Sequence, residues 1–182
     1  MRKVILDLAV TLDGFIEGPN GEVDWCIMDE DMGFNQFLAS IDTIFYGRVS
    51  YDMWGNFQPA DDAPETEKSI WNAVHSKKKY VFSKTGRQDS AATWISTDIK
   101  DRIDSIKREP GKDIWLYGGA NLITTFVDLG LVDMYRLGVH PTILGRGKPL
   151  FVNIKDRVDI TLESVKTFQS GVVLLSYSKK RG

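Results

Sequence analysis

The chain has 182 residues, of which 42% are apolar and 26% charged, and its formal net charge is −2. That length supports one domain with its own core, so residues 1–182 are expected to form a single domain. The composition excludes a low-complexity chain, the slight acidity argues against a nucleic-acid partner, and no apolar run approaches the ~18 residues of a membrane span.

From the N-terminus, Val4-Ile5-Leu6-Asp7-Leu8-Ala9-Val10 is a nearly continuous apolar run, which predicts a central buried strand. Turn signals follow at Asp13-Gly14 and Asn20-Gly21. Met32 to Ser40 predicts a short helix, with Phe34, Phe37, Leu38 and Ile41 on one face. Thr43 to Tyr46 predicts a strand, and Val49 to Trp54 a helix ended by Gly55. Gln58 to Glu67 is polar and acidic with two prolines, so a loop is expected before a short helix at Ser69 to Val74. Strands are predicted at Tyr80 to Ser83, Thr93 to Ser96 and Ile114 to Tyr117. Asp98 is placed to cap a helix that carries Ile99, Ile103 and Ile106 inward and stops at Glu109-Pro110-Gly111.

Gly118-Gly119 then opens a helix with Leu122, Ile123, Phe126 and Val127 inward, closed by Gly130. Met134 to Val139, Val158 to Val165 and Val172 to Tyr177 predict three strands with no helix between them, expected to form an antiparallel edge. In the middle one Val158, Ile160 and Leu162 alternate toward one side. Strands and helices alternating, then strands alone, predict a three-layer α/β/α domain whose sheet is mostly parallel with antiparallel C-terminal strands. In such sheets ligands bind beyond the carboxyl ends of the strands, near a switch in strand order.

Three strand ends carry candidate chemistry. Tyr117-Gly118-Gly119 allows either a tight strand-to-helix turn or close approach of backbone to a pyrophosphate at a helix N-terminus. Tyr46-Gly47-Arg48-Val49-Ser50 is either a helix start with a solvated arginine or a phosphate site built on Arg48 and Ser50. Ser83-Lys84-Thr85-Gly86-Arg87 is either a polar turn or a pocket for a 2′-phosphate. Together the three could contact one extended dinucleotide. Among Asp24, Asp29, Glu30 and Asp31, helix-dipole matching explains Asp29 and Glu30, and Asp31 stays open as a carboxylate that could hydrogen-bond or protonate a ring nitrogen. No cluster has metal-ligand spacing, and His75 and His140 are expected to be structural or exposed. The single cysteine, Cys26, excludes an internal disulfide framework and is expected to be a buried small hydrophobe. With no signal-peptide pattern after Met1, a cytoplasmic location is expected.

These segments also resemble a known family. Val10-Thr11-Leu12-Asp13-Gly14-Phe15-Ile16 looks like the Ser-Leu-Asp-Gly opening of the reductase domain of bacterial riboflavin-biosynthesis deaminase/reductases, the RibD C-terminal domain. Ile114 to Leu122 looks like its glycine turn, and Leu131-Val132-Asp133, Pro141 to Gly147 and Leu150-Phe151 look like its C-terminal block. Gly47-Arg48 with a hydroxyl two residues on is similar to dihydrofolate reductase. The resemblance runs from about Lys3 to Tyr177. It implies a dihydrofolate reductase-like fold, hydride transfer from NADPH, and a homodimer. By position it implies that Ala9, Ile16, Gly47, Arg48, Ser50, Ser83, Lys84, Gly118, Gly119, Ala120, Asn121, Leu122 and Ile123 line the cofactor. It places Asp31 as the substrate carboxylate, with Trp25 and Phe34 bordering the substrate ring.

The chain departs from the family where the substrate would bind. Residues 4–47 contain no Lys or Arg, and Lys68 is the only cation between Arg48 and Lys77. A folate tail or a ribose phosphate needs basic partners, so the expected substrate is a small ring compound that is neither. The alternatives are a non-catalytic nucleotide- or ligand-binding protein on the same fold, and 5-amino-6-(5-phosphoribosylamino)uracil reductase itself.

Overall fold

The computed structural model describes residues 1–28, 32–87 and 89–180. In chain order the elements begin β1 (Val4–Thr11), β2 (Phe15–Glu17), α1 (Phe34–Ser40), β3 (Ile41–Gly47), α2 (Arg48–Ser50), α3 (Glu65–His75), β4 (Lys78–Phe82) and β5 (Thr93–Ile95). They continue as α4 (Ile99–Arg108), β6 (Asp113–Gly118), α5 (Ala120–Asp128), β7 (Met134–His140), β8 (Lys148–Pro149), β9 (Ile160–Thr167) and β10 (Val173–Lys179). Eight strands form the central sheet, in the order β5-β4-β3-β6-β1-β7-β10-β9. β5 through β7 in that order are mutually parallel, and β10 and β9 close the sheet antiparallel. β3, β4 and β5 step outward on one side of β6, while β1 and β7 lie on the other. The strand order therefore reverses at β6, where Gly118-Gly119 leaves the sheet.

Alternation along the parallel strands sends side chains to two separate cores. On one face Leu6, Phe45, Ile114 and Leu116 pack under Ile103 and Ile106 of α4 and Ile123 and Phe126 of α5. The Phe45 ring lies 5.3 to 5.7 Å from those of Tyr80, Phe82 and Phe126. On the other face Ile5, Ile44, Tyr46, Val81 and Trp115 pack against Phe37 and Leu38 of α1 and Val74 of α3. Each fully buried aliphatic side chain here contributes about 1.5–3 kcal/mol, which supports the two-sided burial. The three-layer α/β/α arrangement expected from the sequence is the one observed.

Several boundaries and one strand direction differ from expectation. β7 is parallel to β1 over seven residue pairs, so the antiparallel edge consists of β9 and β10 alone. β9 starts after Val158, and all eight of its residues are exposed. A bulge between Leu162 and Ser164 keeps Ile160, Leu162 and Val165 on one side, opposite Lys179, Tyr177 and Leu175. α3 begins at Glu65, inside the expected loop, because Pro64 precedes it and Glu65 and Glu67 match the dipole of its first turn. The expected helix at Val49 to Trp54 is α2 running into a wider π-helical turn, Tyr51–Gly55. Asp98 takes a left-handed backbone and accepts from the Thr97 hydroxyl, making no side-chain cap bond to α4. α1 ends at Ser40 as expected, and Ile41, grouped with its apolar face, is the first residue of β3 and fully buried. The small β2–β8 sheet had no strand signal long enough to read.

Candidate active site

The glycine turn and the Gly-Arg segment meet. Tyr46 of β3 pairs in register with Gly118 of β6, so Gly47 arrives directly beside Gly118-Gly119. A Cβ on Gly47 would stand 3.4 Å from the Gly118 carbonyl oxygen and the Gly119 nitrogen, so the two backbones run side by side with little room between them. A Cβ on Gly119 would stand 3.3 Å from Ser50 Oγ. The Gly118–Gly119 peptide bond is cis, and Gly118 has φ +109°. α5 starts at Ala120, one residue after the turn. The Leu122 and Ile123 amides both donate to the Gly119 carbonyl, at 2.9 and 3.1 Å. Their side chains are buried in the core, so only their place in the first turn relates them to the cleft, whereas Ala120 and Asn121 begin the helix.

Ala9 lies on β1 facing the same side as Asp7 and Thr11, and Ile16 lies on β2. The β1–β2 turn is tied to the C-terminal block. Asp13 accepts from the Thr11 hydroxyl at 2.6 Å and from the Leu144 and Gly145 amides. These bonds, led by the hydroxyl, hold its carboxyl below the usual carboxylate range. The Leu12 amide donates to Thr142, the Leu150 amide to Gly14, and the Lys148 ammonium meets Glu17. The N-terminal and C-terminal segments that carried the family resemblance thus form one unit beside the strand ends.

The third strand end follows β4. Ser83 follows β4, its amide bonded to Ile95 and its hydroxyl 3.3 Å from that of Thr85, while Lys84 is exposed. Arg87, and not Lys84, is the residue linked to Arg48. Arg48 donates to Asp52 at 3.2 Å and Arg87 donates to the other oxygen of Asp52 at 2.9 Å.

On the face shared by α1 and α3, an aromatic wall runs under the strand ends. Tyr46 and Tyr117 have ring centroids 4.9 Å apart, and Tyr117 lies 5.1 Å from Trp115. The Tyr46 hydroxyl is buried with no hydrogen-bond partner among the described residues. Burial drives both phenols well above their ordinary range, so they stay protonated. Phe34 is edge-on to Trp115 at 5.8 Å. Trp25 instead stands edge-on to His140 at 5.3 Å, at the end of β7, and its indole nitrogen is also buried without a described partner. His140 is 2% exposed and accepts from the Ile27 amide, a structural role. Cys26 is only half-buried, yet desolvation raises its thiol pKa. Asp31, with Asp29 and Glu30, lies outside the described residues.

The sequence also missed a cation on this face. Arg136 of β7 sits opposite Asp7 of β1 in register and donates to it at 2.7 Å. Its guanidinium lies over the Phe37 ring, 5.0 Å from the centroid. Burial pushes the Asp7 carboxyl up to about 6, with Arg136 acting against that rise. The face therefore has a basic residue, but one already neutralised. Strand pairing across 129 residues leaves no local sequence signal for it. Among the described residues no group of three or more His, Cys, Asp or Glu could hold a metal ion, and no helix is long and apolar enough to cross a membrane.

Comparison with known proteins agrees with this architecture. The chain is 59% identical to YyaP, an uncharacterized protein of Bacillus subtilis (strain 168), over 97% of this chain and 94% of that protein. A putative riboflavin biosynthesis protein from Shewanella sp. PV-4 superposes with a TM-score of 0.81 at 22% identity, with both chains fully covered. The Thermotoga maritima diaminohydroxyphosphoribosylaminopyrimidine deaminase/5-amino-6-(5-phosphoribosylamino)uracil reductase superposes with a TM-score of 0.72 at 15% identity, over 98% of this chain and 57% of that one. These structures share its dihydrofolate reductase-like fold. Residues 2–174 match the family described as the RibD C-terminal domain, and the chain belongs to that reductase-type family.

Proposed function

We propose that the chain is an NADPH-dependent oxidoreductase that reduces a small, uncharged or cationic ring compound. The observation that carries this reading is the convergence of Gly47, Ser50 and Gly118-Gly119 at the switch in strand order, a cradle that a Cβ would fill. When bound, the nucleotide supplies hydride. Gly118, Gly119 and the first turn of α5 at Ala120 and Asn121 would take its pyrophosphate on backbone amides. Ser50 offers a hydroxyl, and Arg48 with Ser83 and Lys84 would take the 2′-phosphate. Ala9 and Ile16 would border the nicotinamide, while Trp25, Phe34 and Asp31 would place the substrate ring. The phenols of Tyr46 and Tyr117 stay protonated and add no charge on that side. Arg136 is already engaged by Asp7 and is not spare for a substrate phosphate or glutamate tail, so tight uptake of dihydrofolate with NADPH oxidation would contradict the reading.

A thermal-shift panel of NADPH, NADP, NADH and flavins tests the cofactor. At about 100 times its Kd, NADPH should raise the melting temperature by roughly 5–10 °C, from about 2.7 kcal/mol of linkage. Arg48→Ala should weaken NADPH about tenfold, the loss expected for one charge-assisted phosphate contact. An unchanged affinity would remove Arg48 from the site.

We also propose a homodimer through the outer edge of β9. Ile160, Leu162 and Val165, at 40%, 51% and 52% exposure, share one face of this strand, whose outer edge pairs with no other strand among the described residues, a combination that monomeric sheets avoid. Sedimentation equilibrium should show a dimer that Val165→Glu converts to monomer.

A further inference from the structure

Asp52 occupies an unusual position for a surface carboxylate. It lies in the π-helical turn, and each of its two oxygens takes a different arginine: Oδ2 faces Arg48 Nη1 at 3.2 Å, and Oδ1 faces Arg87 Nη1 at 2.9 Å. The two guanidiniums come from different strand ends, one after β3 and one after β4, and both are about half exposed. Arg87 is not loosely held. Its second nitrogen lies 3.4 Å from Asp89, and its guanidinium stacks over the Trp94 ring at 5.3 Å. Asp89 is itself fixed by the Ala91 amide at 2.9 Å and the Tyr51 hydroxyl at 2.8 Å, and these contacts, with Arg87, hold its carboxyl below the usual range. The arrangement is two guanidiniums, one of them braced by Asp89 and Trp94, converging on one oxyanion. A carboxylate supplies that oxyanion from within the chain.

We infer that Asp52 is the resident counter-ion of a two-arginine phosphate clamp, and that Arg87 is its second jaw. The ligand chemistry is a phosphate monoester dianion, which offers more oxygens and more charge to two guanidiniums than a carboxylate does. Resting on the nucleotide reading above, the clamp takes the 2′-phosphate of the cofactor, and Asp52 must yield to it. Asp52 then sets how strongly the chain prefers the phosphorylated dinucleotide. While in place it screens both arginines, lowering affinity for the dianion and leaving affinity for an unphosphorylated nucleotide unaltered.

Titration calorimetry with NADPH, NADH, adenosine 2′,5′-bisphosphate and AMP tests this on the full chain. Asp52→Asn should tighten NADPH and the bisphosphate about tenfold, and NADH and AMP less than twofold. Arg87→Ala should weaken the first two about tenfold and spare the others. Both differences should shrink on going from 0.05 to 0.5 M salt, as partly exposed charges require. Equal changes for all four ligands, or no change, would overturn the clamp. If the bisphosphate follows Asp52 and Arg87 but NADPH and NADH do not bind, the clamp stands and the oxidoreductase reading falls. If no ligand binds the unaltered protein, both fall. Circular dichroism on each variant separates lost binding from lost folding.

Discussion

Replacing Gly118 with valine should abolish the rise in melting temperature that NADPH gives the unaltered protein, while urea unfolding remains cooperative. Gly118 ends β6 at φ +109°, where an L side chain is strained wherever space exists. Space is also short: its Cβ would stand 3.1 Å from Ile123 Cδ1, so the fully buried Ile123 would have to shift by a few tenths of an ångström within the core. Holding the native backbone would cost roughly 1–3 kcal/mol, and a branched Cβ lies at the upper end. The cheaper response is to move the Gly118-Gly119 backbone, and that backbone is what Gly47 and Ser50 converge upon. A displacement there removes the cradle without removing the core, which rests on Phe45, Leu116 and Phe126 nearby. At about 100 times the original Kd, NADPH contributes about 2.7 kcal/mol, and a hundredfold loss of affinity leaves about 0.4. Thermal shift with NADPH reads this directly. A full shift retained in Gly118→Val would show that the glycine turn is only a connection between β6 and α5.

The parts of this fold that were legible in the sequence are those whose signal is local. Ile99, Ile103 and Ile106 repeat at helical spacing, so α4 was readable, and Ile114 to Tyr117 before two glycines marked β6 and α5. Strand direction is not local. Met134 to Val139 has the same apolar pattern whether it runs with β1 or against it; the α5 crossover from β6 returns the chain as a parallel strand, and β10 then folds back antiparallel to it. The candidate site divides in the same way. Gly47, Ser50 and Gly118-Gly119 were each visible as strand-end residues, and the parallel sheet had to bring them together. Arg87 was visible as part of a polar turn, but its link to Arg48 runs through Asp52, a residue with no motif of its own. The acidity of residues 4–47 was legible, whereas the cation that answers it, Arg136, is supplied by another strand.

Removing that cation, by Arg136→Met, should destabilise the protein by about 3 kcal/mol at pH 8, because it leaves Asp7 buried as an unpaired charge. The side chains of Arg136 and Asp7 are 18% and 15% exposed, so solvent does little of the compensating. The sign of the pH dependence follows from the carboxyl group. Burial raises Asp7 from 3.8 to about 6 in the folded chain, so its contribution to stability is fully present below pH 3.8 and is lost as pH rises through 6. Arg136 opposes that rise, and without it the folded value moves higher still, which enlarges the loss at pH 8. Near pH 4.5 Asp7 is largely protonated in either protein, and the deficit of Arg136→Met should shrink to the packing lost against Phe37. Urea unfolding at pH 8 and pH 4.5 measures both values. Asp7→Asn placed in the Arg136→Met background should restore most of the stability at pH 8, since it removes the charge that the arginine balanced. A deficit that stays the same at both pH values, or that Asp7→Asn fails to relieve, would mean that Arg136 acts through packing alone. The face beneath Trp115 and Phe34 would then carry an acidic residue that costs the fold little, and a cationic substrate could draw on it directly.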